Sequence, residues 1–98
     1  MNLSGKQKNY LRGVAHKLNP VVMVGGKGLT EAVLAEIENA LQQHELIKIK
    51  LPGSSKAEKV AVMAQITTQT ASAPVQLIGR VGVIYRAGEE PKITLPSI

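Results

Sequence analysis

Val21-Val22-Met23-Val24-Gly25-Gly26-Lys27-Gly28-Leu29-Thr30 is an apolar run that breaks into glycines around one lysine and then passes into a helical pattern. The uniformly apolar Val21 to Val24 reads as a buried strand. Glycine lets the chain turn tightly and approach a ligand closely, because no Cβ intervenes. Thr30 can cap the next helix, which runs to about His44. Val33, Ile37, Ala40 and Leu41 form its buried stripe with Leu34 alongside, while Glu31, Glu38 and Gln42 face out. Strand, tight turn and helix together are the first half of a βα crossover. The unpaired N–H groups and positive dipole end of such a helix also suit a phosphate.

The same alternation continues outward in both directions. Leu46 to Leu51 reads as a half-buried strand, with Ile47, Ile49 and Leu51 pointing one way and Lys48 and Lys50 the other. Upstream, Ser4 to Leu18 reads as a helix. Ser4-Gly5-Lys6-Gln7 fits a capping box, and Gln7, Leu11, Val14 and Leu18 form a stripe with Tyr10 at its edge. Asn19-Pro20 stops it. Downstream, Pro52-Gly53-Ser54 breaks the strand and Ser55-Lys56-Ala57-Glu58 is a second capping box. The helix it opens runs to about Thr70 and buries Val60, Met63, Ala64 and Thr67.

Val75 to Ile78 and Val81 to Arg86 are two further strands, joined by Gly79-Arg80 in a type II′ turn. Val81, Val83 and Tyr85 share one face; Ile84, Arg86 and Gly82 share the other. The order is α-β-α-β-α-β-β, followed by a tail with a short extended piece at Lys92 to Leu95. Two βα crossovers imply parallel pairing of one hand, with both crossover helices on one face. The expected fold class is therefore α/β, an α+β two-layer sandwich on a four-stranded mixed sheet. One domain is expected over 1–98, with an ordered core of about 2–86 and a tail of 87–98.

Composition narrows the function. A chain of 98 residues with 44% hydrophobic content can bury roughly 60–65% of its unfolded surface. The absence of cysteine excludes disulfides and thiolate metal sites. Met1-Asn2-Leu3-Ser4-Gly5-Lys6 leads into a polar helix instead of a secretory h-region, so the cytoplasm is the expected address. No apolar run approaches the roughly 20 residues of a membrane span. The net charge is +5 and the pI is near 9.8. That charge is segregated: Lys6, Lys8, Arg12, Lys17 and Lys27 all precede the first acid, Glu31. Of the other acids, Glu36, Glu38 and Glu45 gather on or beside the second helix and Glu89 and Glu90 near the end, with Glu58 between them. Such a dipolar molecule is steered toward polyanions, whereas solubility alone needs no segregation by sign.

The glycine run is neither a P-loop nor a dinucleotide fingerprint. Gly26-Lys27 continues into Gly28 instead of Ser or Thr, and Glu31 and Val33 stand where the fingerprint needs glycine. What remains is Gly25-x-x-Gly28, a clamp of the kind KH domains close on nucleic-acid backbone; the alternative is an ordinary βα turn. Lys8, Arg12 and His16 stand one above another on the first helix with no acid to relieve them, a ridge suited to a row of phosphates or to solvent. Lys48, Lys50, Arg80 and Arg86 extend the basic surface or protect an exposed sheet face and edge.

Phe and Trp are absent, and Tyr10 and Tyr85 lie on or beside core stripes, so base stacking has little equipment. Recognition of phosphate, ribose and shape in folded RNA is expected instead. Catalysis has no support. His16 and His44 sit near helix ends, no serine has an evident base partner, and Glu36 and Glu38 diverge on their helix.

Leu18-Asn19-Pro20, Val24-Gly25-Gly26-Lys27-Gly28-Leu29-Thr30, His44-Glu45-Leu46-Ile47-Lys48-Ile49-Lys50, Ile78-Gly79-Arg80 and Tyr85-Arg86, in that order, resemble the CRM domain of chloroplast RNA splicing and ribosome maturation proteins. The resemblance covers about Asn2 to Arg86 and is strongest to bacterial single-domain members, which associate with precursors of the large ribosomal subunit. It implies a fold like the C-terminal domain of translation initiation factor three plus an N-terminal helix, with sheet order 1-2-4-3 and the last strand antiparallel. It implies RNA contact through Gly25, Gly26, Lys27 and Gly28, with Lys48, Lys50, Arg80 and Arg86 at basic positions of the motif. Where the family often reads Tyr-Arg-Gly, this chain has Tyr85-Arg86-Ala87.

The expected protein is non-enzymatic, uses no cofactor or metal, and binds ribosomal RNA in large-subunit precursors. No membrane and no small-molecule substrate is expected. Lys8 and Arg12 would track phosphates beside the loop. One alternative is a protein–protein adaptor on ribosomal particles that works through the acidic second helix without touching RNA. Another is a DNA-binding module, against which the lack of a recognition-helix pattern counts.

Overall fold

The computed structural model describes residues 2–53 and 55–97, so Ser54, part of the break expected after the second strand, lies outside the described residues. The elements are α1 (Gly5–Ala15), β1 (Pro20–Met23), α2 (Glu31–His44), β2 (Leu46–Lys50), α3 (Lys56–Thr70), β3 (Ala73–Ile78) and β4 (Val81–Tyr85). Side-chain caps start the helices. Ser4 Oγ accepts from the Gln7 N–H at 3.1 Å and Gln7 Oε1 accepts from the Ser4 N–H at 3.1 Å, the reciprocal box the sequence predicts. Ser55 Oγ accepts from the Glu58 N–H at 3.1 Å. The sheet order is β1-β2-β4-β3, with β1 parallel to β2, and β4 antiparallel to both β2 and β3. This is the expected α/β class and strand order.

Two hydrophobic clusters flank the sheet. Between it and the crossover helices α2 and α3 lie Val22, Ile37, Leu41, Ile47, Ile49, Ile66 and Ile84. Gly82 sits where α3 presses on β4: a Cβ there would collide with Met63 Sδ. On the second face α1 and the tail cover one half, burying Leu11, Ala15, Leu46, Val75, Val83 and Tyr85 against Ile93 and Leu95. The N-terminal helix is thus a partial third layer, packed opposite the crossover helices.

Several boundaries and faces depart from the sequence expectation. α1 ends at Ala15, three residues early, and its buried contacts are Leu11 and Ala15, with Leu18 and Tyr10 exposed. Val21 and Met23 are exposed because β1 is an edge strand with no helix over its second face; only Val22 and Val24 are buried. The apolar run therefore signals burial on one side only. α3 buries Met63 as expected, but with Ile66 and Thr70 in place of Val60, Ala64 and Thr67, a stripe turned round the helix. Its last turn goes inward because the Thr70 hydroxyl, 2.7 Å from the Ile66 carbonyl and 2.8 Å from Ser72 Oγ, is satisfied there. Lys92 to Leu95 form no strand.

Candidate nucleic-acid interface

Because β1 and β2 are parallel, their C-terminal ends lie together, and the Val24 N–H donates to the Lys50 carbonyl at 2.8 Å. Beyond that bond the chain closes into a turn, with the Gly28 N–H donating to the Gly25 carbonyl at 3.0 Å. Gly28 has φ +78°, a left-handed conformation that favours glycine. A Cβ at Gly25, Gly26 or Gly28 would meet nothing within 4 Å, so the space beside these glycines is open. Lys27 is exposed within it.

The antiparallel β4 brings its starting end to the same place. Lys50 pairs with Val81, and the Leu51 N–H donates to the Arg80 carbonyl at 2.7 Å. Gly79 has φ +56° while Arg80 does not leave the ordinary region, as a type II′ turn requires. The glycine loop, Lys50 and the Gly79-Arg80 turn therefore stand side by side across two strand spacings, about 10 Å. Both crossover helices also begin at this end, the edge of an open α/β sheet where ligands gather.

The uncovered half of the second face adjoins it. Met23, Lys50, Val81 and Ile78 form one row across the four strands, all on the side away from α2 and α3. The next row carries Lys48, Val83 and Gln76. A groove of about 700 Å³ runs between this half-sheet and α1, where Arg12 and His16 face Lys48 across a floor of Val81 and Val83. No acid lines it. Lys8 lies further along α1, over the β3 edge beside Gln76 and Thr67.

Of the sequence-predicted site, the loop Gly25–Gly28, Lys48, Lys50 and Arg80 come together, with Arg12 across the groove and Lys8 at its margin. Arg86 does not join them. It lies past the far end of β4, its N–H bonded to the Glu45 carbonyl at 2.8 Å. Its guanidinium donates to Glu38 Oε1 at 2.9 Å and to the Thr70 carbonyl at 2.7 Å, tying the middle of α2 and the end of α3 to the sheet. It forms the one ion pair among the described residues. Arg86→Met should destabilise the fold by roughly 1–3 kcal/mol in chemical denaturation, chiefly by removing the donor to the Thr70 carbonyl, and should leave nucleic-acid affinity unchanged.

The helix start behind the loop contributes less than the sequence suggests. Thr30 Oγ1 already accepts from the Val33 N–H at 3.2 Å, and Glu31 places an acid in the first turn of α2. The loop backbone and Lys27 are better placed than the α2 dipole to meet an anion.

Two residues escaped sequence reasoning. Tyr10, expected at a core edge, is 44% exposed, whereas Tyr85 is buried as expected. Glu45 is 1% exposed and sits at φ +64° between α2 and β2. Its carboxylate accepts from the backbone N–H groups of Gly88 at 2.6 Å, Lys92 at 2.8 Å and Ile93 at 3.0 Å. Burial pushes this carboxyl up, but the three N–H bonds and the Lys92 ammonium outweigh it and hold it below its ordinary value. Burial, reinforced by the Glu45 charge, pushes the Tyr85 phenol up.

Among the described residues no helix is long and apolar enough to cross a membrane, and no group of three or more acids and histidines could hold a metal. The chain matches the CRS1/YhbY (CRM) domain over residues 3–86. It is 57% identical over 94 residues to a protein of Haemophilus influenzae named RNA-binding protein, covering 96% of this chain and 95% of that one. A protein of Pseudomonas aeruginosa named as a probable RNA-binding protein is 40% identical over 98 residues, covering 100% and 94%. The solution structure of a hypothetical protein from Staphylococcus aureus superposes with a TM-score of 0.86 at 36% identity, covering 97% of this chain and 100% of that one. With its sequence matched nearly end to end and its strand order and loop in place, the chain belongs to the CRS1/YhbY (CRM) domain family.

Proposed function

We propose that this chain is a non-enzymatic RNA-binding protein whose contact surface is the loop end of the sheet and the adjoining uncovered face. Gly25, Gly26 and Gly28 let the backbone approach the strand, and Lys27 supplies a point charge. Lys48, Lys50, Arg80 and Arg12 track neighbouring phosphates, and Lys8 extends the track. The observation that carries this reading is the convergence of Lys27, Lys50 and Arg80 from three separate parts of the chain onto one end of the sheet, with no acid paired to any of them among the described residues. Relatives named as RNA-binding proteins support RNA as the polyanion.

The finer proposal is structured ribosomal RNA in precursors of the large subunit, which rests on the family resemblance of the sequence blocks. Binding through about five phosphate contacts should make log K fall against log salt with a slope of roughly −3 to −5. Fluorescence anisotropy with a structured RNA between low and physiological salt measures it; an affinity indifferent to salt would remove the electrostatic surface from the site. Sequencing of RNA crosslinked to the protein in growing cells tests the ribosomal assignment, which requires reads concentrated on large-subunit RNA.

A further inference from the structure

α1 carries a second depression on its outward side, beyond the cationic ridge that faces the groove. Asn9, Tyr10, Val14 and Lys17 surround it, Gly13 forms its floor, and its volume is about 500 Å³. Gly13 lies in the last turn of α1, where glycine is a poorer helix former than alanine. Nothing in the packing requires it: a Cβ at Gly13 would meet nothing within 4 Å. What the missing side chain creates is a notch, with Tyr10 and Asn9 one turn below and Lys17 one turn above. Tyr10 is the chain's exposed aromatic; the other tyrosine, Tyr85, is buried.

The notch adjoins the groove at Gly13, which borders both depressions. Arg12 on the ridge is linked to Asn9 at the notch by a long 3.5 Å hydrogen bond. The surrounding charge has one sign: Lys6, Lys8, Arg12 and Lys17 lie on or just beyond α1 with no acid among residues 1–30. An aromatic face, an amide able to donate and accept, and an ammonium around a flat backbone floor suit one kind of polyanion. It is one that also carries a planar, hydrogen-bonding ring.

We propose that the notch over Gly13 holds an unpaired nucleobase of the bound RNA, stacked on the Tyr10 ring, with Asn9 at its polar edge and Lys17 on its phosphate. The inference rests on the RNA-binding reading above and adds to it a preference for strands with an unstacked base. A fully paired helix would reach the loop and groove but leave the notch empty.

The test compares a hairpin RNA carrying one bulged nucleotide with the same hairpin fully paired, by anisotropy at one salt concentration. The unsubstituted protein should favour the bulged hairpin. Tyr10→Ala should lower affinity for it by about fivefold to a hundredfold, the range for loss of a base–aromatic stack, and leave the paired hairpin unchanged. Tyr10→Phe should retain the preference. Gly13→Leu should fill the notch and abolish the preference while raising the thermal midpoint, because leucine is the better helix former. Equal binding of both hairpins by the unsubstituted protein, or a preference that survives Tyr10→Ala and Gly13→Leu, overturns the notch while leaving the RNA-binding reading intact. Failure of the unsubstituted protein to bind either hairpin overturns both.

Discussion

Charge reversal at Lys27 should weaken RNA binding by at least about tenfold and leave the thermal midpoint nearly unchanged. The side chain is exposed and makes no ion pair among the described residues, so little is lost from the fold on substitution. The loss falls on binding alone. Lysine contributes one phosphate neutralisation, and glutamate at the same spot repels the phosphate it replaces and weakens the neighbouring contacts of Lys50 and Arg80. The salt slope should become shallower by roughly 1 as one released counterion disappears. Anisotropy titrations of Lys27→Glu at several salt concentrations, with a melting curve alongside, give both readings. Affinity and slope equal to those of the unaltered protein would take the loop out of the interface.

Glu45→Ala should destabilise the fold strongly, on the order of 3 kcal/mol in chemical denaturation. Three backbone N–H groups lose a charged acceptor whose own position is buried. The effect should be local at first. Amide hydrogens of Gly88, Lys92 and Ile93 should exchange rapidly, and the tail should release Ile93 and Leu95 from the cluster under α1. Acid should imitate the substitution. The Glu45 carboxyl is held below its ordinary value when folded, so its contribution is complete above the unfolded carboxylate range. That contribution disappears as pH falls through the folded value. Between neutral and acidic pH the unaltered protein should therefore lose more stability than Glu45→Gln, which carries no charge there to lose. Parallel acid curves for the two would show that the carboxylate does not hold the tail.

What could be read in advance divides along the range of each interaction. The capping box of α1, the extent of α2, the alternation of β2 and the turn at Gly79 are written within a few residues of one another, and the structure repeats them. Glu45 illustrates the opposite case. As a glutamate between a helix and a strand it looked like one more surface acid, because its partners lie 43 to 48 residues further on. Arg86 has the same history: basic in a basic motif, yet bonded to Glu38, 48 residues away.

The faces of β1 and α3 depart from their sequence pattern for another reason. An apolar residue signals that burial is favourable without saying whether a neighbour covers it, and β1 sits at the sheet edge with one face bare. For α3 the apolar residues are spread round the helix, so local pattern could not choose between Val60 and Ile66. The glycine loop was conspicuous in isolation. Its meeting with Arg80 depends on β4 lying beside β2, a property of strand order that the periodicities do not contain.

That placement of β4 has a consequence for how the molecule is made. β4, the latest of the four strands in sequence, is an interior one inserted between β2 and β3, so the β1–β2 pair and the lone β3 have no continuous ladder until residues 81–85 emerge. The cluster beneath α1 waits longer still, since it takes residues from both chain ends. A nascent chain must therefore carry β1, β2 and their helices without a closed sheet for most of translation. Protection from proteolysis should arrive late and abruptly on the ribosome, once β4 is free to insert.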